Sequence, residues 1–379
     1  MTHRFRLFTF LLIVCNVFCL ANVANAAGDT NDPLAKKSIF ETLSREEPLE
    51  ITIVTNLSIL IENRRTEDYL TATLTYKDAQ GKEIKRAIEV QPRGKFRRRV
   101  CDFPPVRIKF AKKDLESEGL EKDFNKLKLV THCLDDKLIG NDNLLKEYLI
   151  YQLYNTLNPN SYHAQLVKVT YIDTEGNEAK TKRYGILLED TDELAQRLGG
   201  QEIETMNVSK DSISMKDEAS MAMFQYMIGN TDWTTEMLRN VKMILPTGST
   251  KMIPVPYDFD FSGFVNASYA IPQNDKGIVA IGDRVYFGAF QDQALLRETL
   301  AHFIQQKETL LKTVKEFKLL SLDARKEALA YLESFYTSVE PAYANANIEL
   351  ASFLKMRNAT VDTWKQEQTA ASSIGSANK

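Results

Sequence analysis

Cysteine, histidine and tryptophan are scarce in these 379 residues, at 4, 4 and 2 copies. So few cysteines exclude a disulfide-built mini-scaffold, and a chain of this length buries a core without staples. There is no C-x-x-C, no His-Glu-x-x-His and no Gly-x-Ser-x-Gly. That removes the usual thiol-redox or zinc-ribbon pair, the zinc-protease helix and the hydrolase elbow. An excess of either charge is missing too: 48 Lys+Arg against 51 Asp+Glu gives −3, which leaves a nucleic-acid role without electrostatic support. Nor is there an apolar run of the ~20 residues needed to cross a bilayer.

The longest apolar run, Leu7 to Leu20, follows Arg4 and Arg6 and precedes Ala24-Asn25-Ala26. A basic start, a short apolar stretch and a small-x-small site predict a signal peptide over 1–26, cleaved after Ala26. The chain is then exported, periplasmic or extracellular, with no transmembrane segment after leader cleavage. Val14 and Phe18 are too bulky for a lipoprotein box at Cys15 or Cys19. Without the leader, 46 basic and 51 acidic residues give −5 over 353 residues, and only Cys101 and Cys133 remain. In an oxidising compartment these form a disulfide between neighbouring strands, or they are two unrelated buried thiols.

A polar segment, 27–48, leads into a stretch with strand periodicity. Ile51 and Ile53, Leu57, Ile59 and Ile61, and Leu70, Ala72, Leu74 and Tyr76 alternate. Asp78 to Gly81 turns into a strand over 83–91, and Val106, Ile108 and Phe110 face away from Arg107 and Lys109. Lys126 to Val130 repeats that design, and these strands predict a twisted antiparallel sheet. Asn143 caps a helix running to Asn158-Pro159. Hairpins follow at 165–189 and 241–255, with a Met-rich helix over 216–228 between them. From Asp292 to about Met356 the pattern is helical, and 370–379 is a small, polar tail. Strands first and helices last predict an α+β fold.

Chemistry concentrates in Gly229-Asn230-Thr231-Asp232-Trp233, then Asn240, then Pro256-Tyr257-Asp258-Phe259-Asp260-Phe261-Ser262-Gly263. The 241–255 hairpin joins its own ends, so Asp232, Asn240 and Asp258 converge. Carboxylate plus amide oxygen suits Mg²⁺ bridging phosphates rather than zinc. Asp232, outside that ligand set, is left to orient or deprotonate a hydroxyl. Asp and Asn also fill turns for purely local reasons.

These motifs, with Arg93-Gly94-Lys95, Phe103 to Lys109 and Gly185 to Glu189, resemble the CotH (spore-coat protein H) kinase-like family over roughly residues 88 to 265. The resemblance implies a two-lobed protein-kinase-like architecture: a domain over 49–369, with a sheet-rich front lobe at 49–190 and a helical back lobe at 191–369. It implies Asp232 as the catalytic aspartate and Asp258 as a metal ligand with Asp260 near it. It makes Asn240 a second ligand, eight residues after Asp232 where kinases have five. Glu189 matches a family glutamate on the cofactor side. A phosphate-gripping cation on a front strand is expected at Arg107 or Lys109, held by Glu147 on the helix. The cofactors implied are ATP with Mg²⁺ or Mn²⁺, and the partner a protein or peptide substrate.

An exported protein meets little ATP. Either a donor is supplied locally, or the chain is a catalytically inactive binding or surface-assembly protein. The basic run Arg93 to Arg99 suits phosphates, an acidic substrate or an anionic surface, although a solvated loop is the commoner fate of such a run. Four Asn-x-Ser/Thr triplets, at Asn56, Asn207, Asn266 and Asn358, are assigned no modification.

Overall fold

A computed structural model describes residues 36–273 and 278–356. The expected leader, the start of the polar segment, the tail and Asn358 lie outside the described residues. The described end of the polar segment forms helix α1 (Ile39–Leu43), which buries Ile39, Phe40 and Leu43 under a capping box made by Ser38 and Glu41.

Strands β1 (Leu49–Thr55), β2 (Leu70–Lys77), β3 (Glu83–Pro92), β4 (Val106–Phe110), β5 (Lys126–Val130), β6 (Ala164–Asp173) and β7 (Thr181–Leu188) form a closed barrel in the order β1-β2-β3-β4-β5-β7-β6. Six of the seven pairings are antiparallel; the closing one, β1 on β6, is parallel from Leu49↔Val167 to Thr55↔Asp173. The expected α+β two-lobed kinase-like layout with a twisted antiparallel front sheet is therefore corrected to a closed mixed barrel with helices packed on it. The alternation that read as a twisted antiparallel sheet is the inward half of a barrel wall. Ile51, Ile53, Leu74, Ile88, Val90, Val106, Ile108, Leu127, Leu129, Val167 and Val169 all meet in one interior cluster.

Between strands lie α2 (Leu57–Glu62), α3 (Arg97–Val100) and α4 (Lys112–Ser117). Leu57, Ile59 and Ile61 are helical rather than extended, because the Asn56 side chain accepts the Ile59 N–H at 2.9 Å and starts a turn. Helix α5 (Lys137–Leu157) is capped seven residues before the expected Asn143, by Asp136, whose carboxylate accepts the Ile139 N–H at 2.8 Å. Past β7 come α6 (Thr191–Arg197), β8 (Gly200–Ile203), α7 (Met215–Ile228), β9 (Val241–Pro246) and β10 (Ile253–Pro256), the last two strands joining β8 in a second sheet. The chain then turns helical through α8 (Gln293–Gln305), α9 (Lys307–Glu316), α10 (Leu322–Ala344) and α11 (Leu350–Lys355). A second hydrophobic cluster holds α5, α7, the small sheet and these helices against the outward side chains Val130, Leu166, Ile186 and Leu188 of the barrel. Among the described residues no helix is long and apolar enough to cross a membrane.

Candidate phosphate and metal site

Two turns that are distant in sequence are pinned to one another. Helix α7 ends at Gly229, which adopts the left-handed conformation at φ 62°. Its carbonyl accepts the Gly263 N–H at 3.0 Å, and the Ile228 carbonyl accepts the Phe264 N–H at 3.0 Å. Tyr331 closes over both: a Cβ on Gly229 or Gly263 would lie 2.0 or 2.3 Å from its hydroxyl. Behind Tyr331 the fully buried Arg284 donates to the carbonyls of Met227 at 3.0 Å and Tyr331 at 2.6 Å. The Asn-Thr-Asp turn and the Asp-Phe-Asp turn therefore form one rigid unit.

On that unit Asp232 takes its place through Asn230, whose Oδ1 accepts the Asp232 N–H at 3.0 Å. Asn240 donates its amide N–H to the Asp232 carbonyl at 2.7 Å and to its carboxylate at 3.1 Å. Arg239 and Gln273 reach the other carboxylate oxygen at 3.4 and 3.2 Å. The β9–β10 hairpin brings Asn240 to Asp258, since the Tyr257 N–H donates to the Asn240 carbonyl at 3.0 Å. Asp258 holds φ 64° with its N–H on the Tyr151 hydroxyl at 3.1 Å. Leu238, Asn240 and Asp258 are three of only five described non-glycine residues with positive φ. Such conformations persist where surrounding structure enforces them.

Beneath Asp258 lies a buried charge cluster. Arg97 of α3 sits between Glu147 of α5, at 3.7 Å, and Asp260, at 3.8 Å. It also donates to the Thr131 carbonyl at 2.5 Å. Burial, followed by repulsion from Asp258, raises the Asp260 carboxyl above its ordinary range, with Arg97 opposing. Burial likewise raises Glu147, against Arg97 and with Asp260 and Asp258. Burial disfavours the guanidinium, yet Tyr269, Asp260 and Glu147 outweigh it and hold Arg97 charged. Contacts of 3.7–3.8 Å leave Arg97 Nε, Glu147 Oε1 and Asp260 Oδ2 buried without hydrogen-bond partners among protein atoms. Phe96, next to Arg97, sets its ring edge-on to Phe261 at 5.1 Å.

A cluster of cations borders the same unit on the outer barrel wall. Lys128 faces out from β5 beside Arg107 of β4, its direct cross-strand partner. Its amine lies 5.1 Å from the Tyr162 ring and 5.2 Å from the Tyr257 ring, and donates to the Thr191 hydroxyl at 2.9 Å. Burial, then Arg93 and Lys242, push this amine down to about 7. Burial, then Asp258, raise the Tyr257 hydroxyl, with Lys242 and Arg93 opposing. Tyr257 precedes Asp258 and carries the Lys128 amine over its ring, so the cations border the acidic turn.

Asp232, Asn240, Asp258, Asp260 and Glu147 are thus brought together. Arg107 lies beside Lys128 on the outer barrel face, bonded to Gln91 at 3.2 Å. Lys109 is on the outer barrel face, paired with Glu89 at 2.7 Å. Glu189 caps β7 inside a closed pair with Arg197 at 2.6 Å and accepts the His163 N–H at 2.6 Å. Sequence reasoning named Arg97 only as one member of the basic run Arg93 to Arg99, and passed over Lys128. The signal for Lys128 was its alternation with Leu127 and Leu129, which marks an outward side chain next to Arg107. Nothing in the run set Arg97 apart from its basic neighbours.

A scan of family models finds no match, and no curated protein matches. Among solved structures the chain is similar to the Helicobacter pylori proinflammatory kinase CtkA, at 10% identity over 71% of this chain and 88% of that one, with a TM-score of 0.33.

Proposed function

We propose that this chain is an exported, CotH-like atypical kinase that moves a phosphoryl group from a nucleotide to a protein or peptide hydroxyl. The observation that carries the reading is the docking of the two turns, which sets Asp232, Asn240 and Asp258 side by side with a cluster of cations at their border. Asp258 and the Asn240 amide oxygen, with Asp260 behind, are a hard donor set for Mg²⁺ or Mn²⁺. Asp260 Oδ2 makes no hydrogen bond and only a 3.8 Å ion-pair contact with Arg97 Nε, which leaves it lone pairs to give an ion. When bound, the ion neutralises charge building on the phosphates. Lys128, with Arg93, Arg107 and Lys242 around it, takes the phosphate oxygens. Asp232, turned by Asn240 and Arg239, orients the acceptor hydroxyl and takes its proton.

A second reading, a catalytically silent binding or surface-assembly protein, is favoured by one contact: Arg97 already neutralises Glu147 and Asp260. Among the described residues no group of three or more His, Cys, Asp or Glu has a metal-holding arrangement. The two readings part in a calorimetric titration of the mature protein with ATP, with and without Mg²⁺. The kinase reading expects Mg²⁺-dependent binding, lost at least tenfold in Asp258→Ala. Binding that is absent, or indifferent to that substitution, leaves only the silent reading.

A further inference from the structure

The disulfide between Cys101 and Cys133, with Cα atoms 4.4 Å apart, stands where it controls Arg97. Cys101 closes the single turn of α3, its N–H donating to the Arg97 carbonyl at 3.0 Å. The Asp102 N–H crosses to the Cys133 carbonyl at 2.9 Å. From the other side, Thr131, two residues before Cys133, accepts the Arg97 guanidinium. The bridge therefore joins the turn that carries the arginine to the strand end that receives it. Both cysteines are buried, at 1% and 4% exposure, so the bond is a fixed brace and not a surface sensor. The remaining attachments of this loop hold its backbone and its other side chains rather than Arg97. Arg64 donates to the carbonyls of Cys101 at 2.6 Å and Asp102 at 3.2 Å, the Asp135 N–H donates to the Asp102 carboxylate at 2.9 Å, Arg98 donates to the backbone of Thr66 at 3.0 Å and pairs with Glu67 at 3.6 Å, and Phe96 touches Phe261.

A one-turn helix has no rigidity of its own, and an arginine loses much rotamer freedom when fixed. Yet Arg97 must stay between Glu147 and Asp260, with Asp258 adjacent, or buried carboxylates are left uncompensated. We propose that the Cys101–Cys133 disulfide is a positioning element of the phosphoryl-transfer site, holding Arg97 as a fixed counter-charge to Glu147 and Asp260 while Asp258 and Asn240 take the metal. The placement of Arg97 follows from the contacts above; its service to a metal site rests on the phosphoryl-transfer reading.

The test is a double-mutant cycle run twice on the full chain. Urea midpoints are measured for wild type, Arg97→Met, Glu147→Gln and the pair, first with the bridge intact and then in a Cys101→Ala/Cys133→Ala background. The expected result is non-additive midpoint shifts with the bridge and additive shifts without it, at unchanged far-UV circular dichroism. Equal non-additivity in both backgrounds overturns the proposal, because the bridge then acts as a staple and not through Arg97. If the double-alanine chain does not fold, amide exchange in the bridged Arg97→Met protein decides. Cys101 and Asp102 keep wild-type protection if the bridge holds the loop; a loss of tenfold or more shows that Arg97 holds it and overturns the proposal. Mg²⁺-dependent ATP affinity is read in parallel. It is expected to fall at least tenfold in the double-alanine chain, with no further loss on adding Arg97→Met. Wild-type affinity without the bridge overturns the role at the site. If neither bridged nor unbridged protein binds ATP, the phosphoryl-transfer reading fails, while the urea cycle still decides whether the bridge places Arg97.

Discussion

At the scale of single residues, two glycines do different work at one contact. Gly229 needs both its left-handed backbone and its empty side, whereas Gly263 needs only the space. A methyl group on Gly263 would meet the Tyr331 hydroxyl at 2.3 Å and the Ile281 carbonyl at 2.9 Å, and the carbonyl is backbone that cannot swing away. Gly263→Ala is therefore expected to destabilise the chain by about 2–4 kcal/mol, as overpacking at a buried contact does. Urea unfolding checks the number. Nucleotide titration checks its consequence, since prising the turns apart separates Asp232 from Asp258. The convergence of these aspartates was legible in sequence because a hairpin returns to its own start. The partner of Glu147 was not, because Arg97 reaches it through a loop whose packing depends on a bridge and on Phe261.

At the scale of elements, the join between α1 and α6 turns on one carboxyl. Ser38, the cap of α1, donates its hydroxyl to Glu193 of α6 at 2.5 Å. The second Glu193 oxygen is buried without a partner. Burial first, then repulsion from Glu189, Glu41 and Asp190, pushes Glu193 up to about 8, with the Ser38 bond opposing. A carboxyl raised in the folded state binds its proton more tightly there than in the unfolded chain. Its contribution to stability is complete below about 4.5 and is lost as pH rises through about 8. Glu193→Gln keeps the acceptor and abolishes the titration. It should unfold with a flatter pH dependence between pH 5 and 9 and exceed wild type at pH 9 by on the order of 1–3 kcal/mol. Parallel curves for the two proteins over that window would sink the assignment. No local pattern marks this join, because α1 lies in a segment whose composition reads as polar linker. Leu57 to Ile61 shows the same limit: alternation fits a strand, and a single Asn cap turns it into a helix.

At the scale of the whole molecule, the strands themselves were legible but their closure was not. Hairpin neighbours such as β6 and β7 announce one another through the turn between them, and alternation shows which face is buried. The β1–β6 pairing spans more than a hundred residues, is parallel, and leaves no mark in either strand's own sequence. The difference has a measurable consequence at each backbone amide. In an open sheet β1 and β6 would be edges, each with alternate N–H groups facing solvent and exchanging quickly. In the closed barrel β1 is paired on both sides, to β2 through Ile51↔Tyr76 and Ile53↔Leu74, and to β6 through Ile51↔Val169 and Ile53↔Tyr171. Every amide from Ile51 to Val54 is then expected to show protection approaching that of the central strand β4, with no alternation between fast and slow. Native-state hydrogen exchange resolved to single amides reads this directly, and a fast-slow alternation along β1 would mean that the barrel is open at the β1–β6 seam.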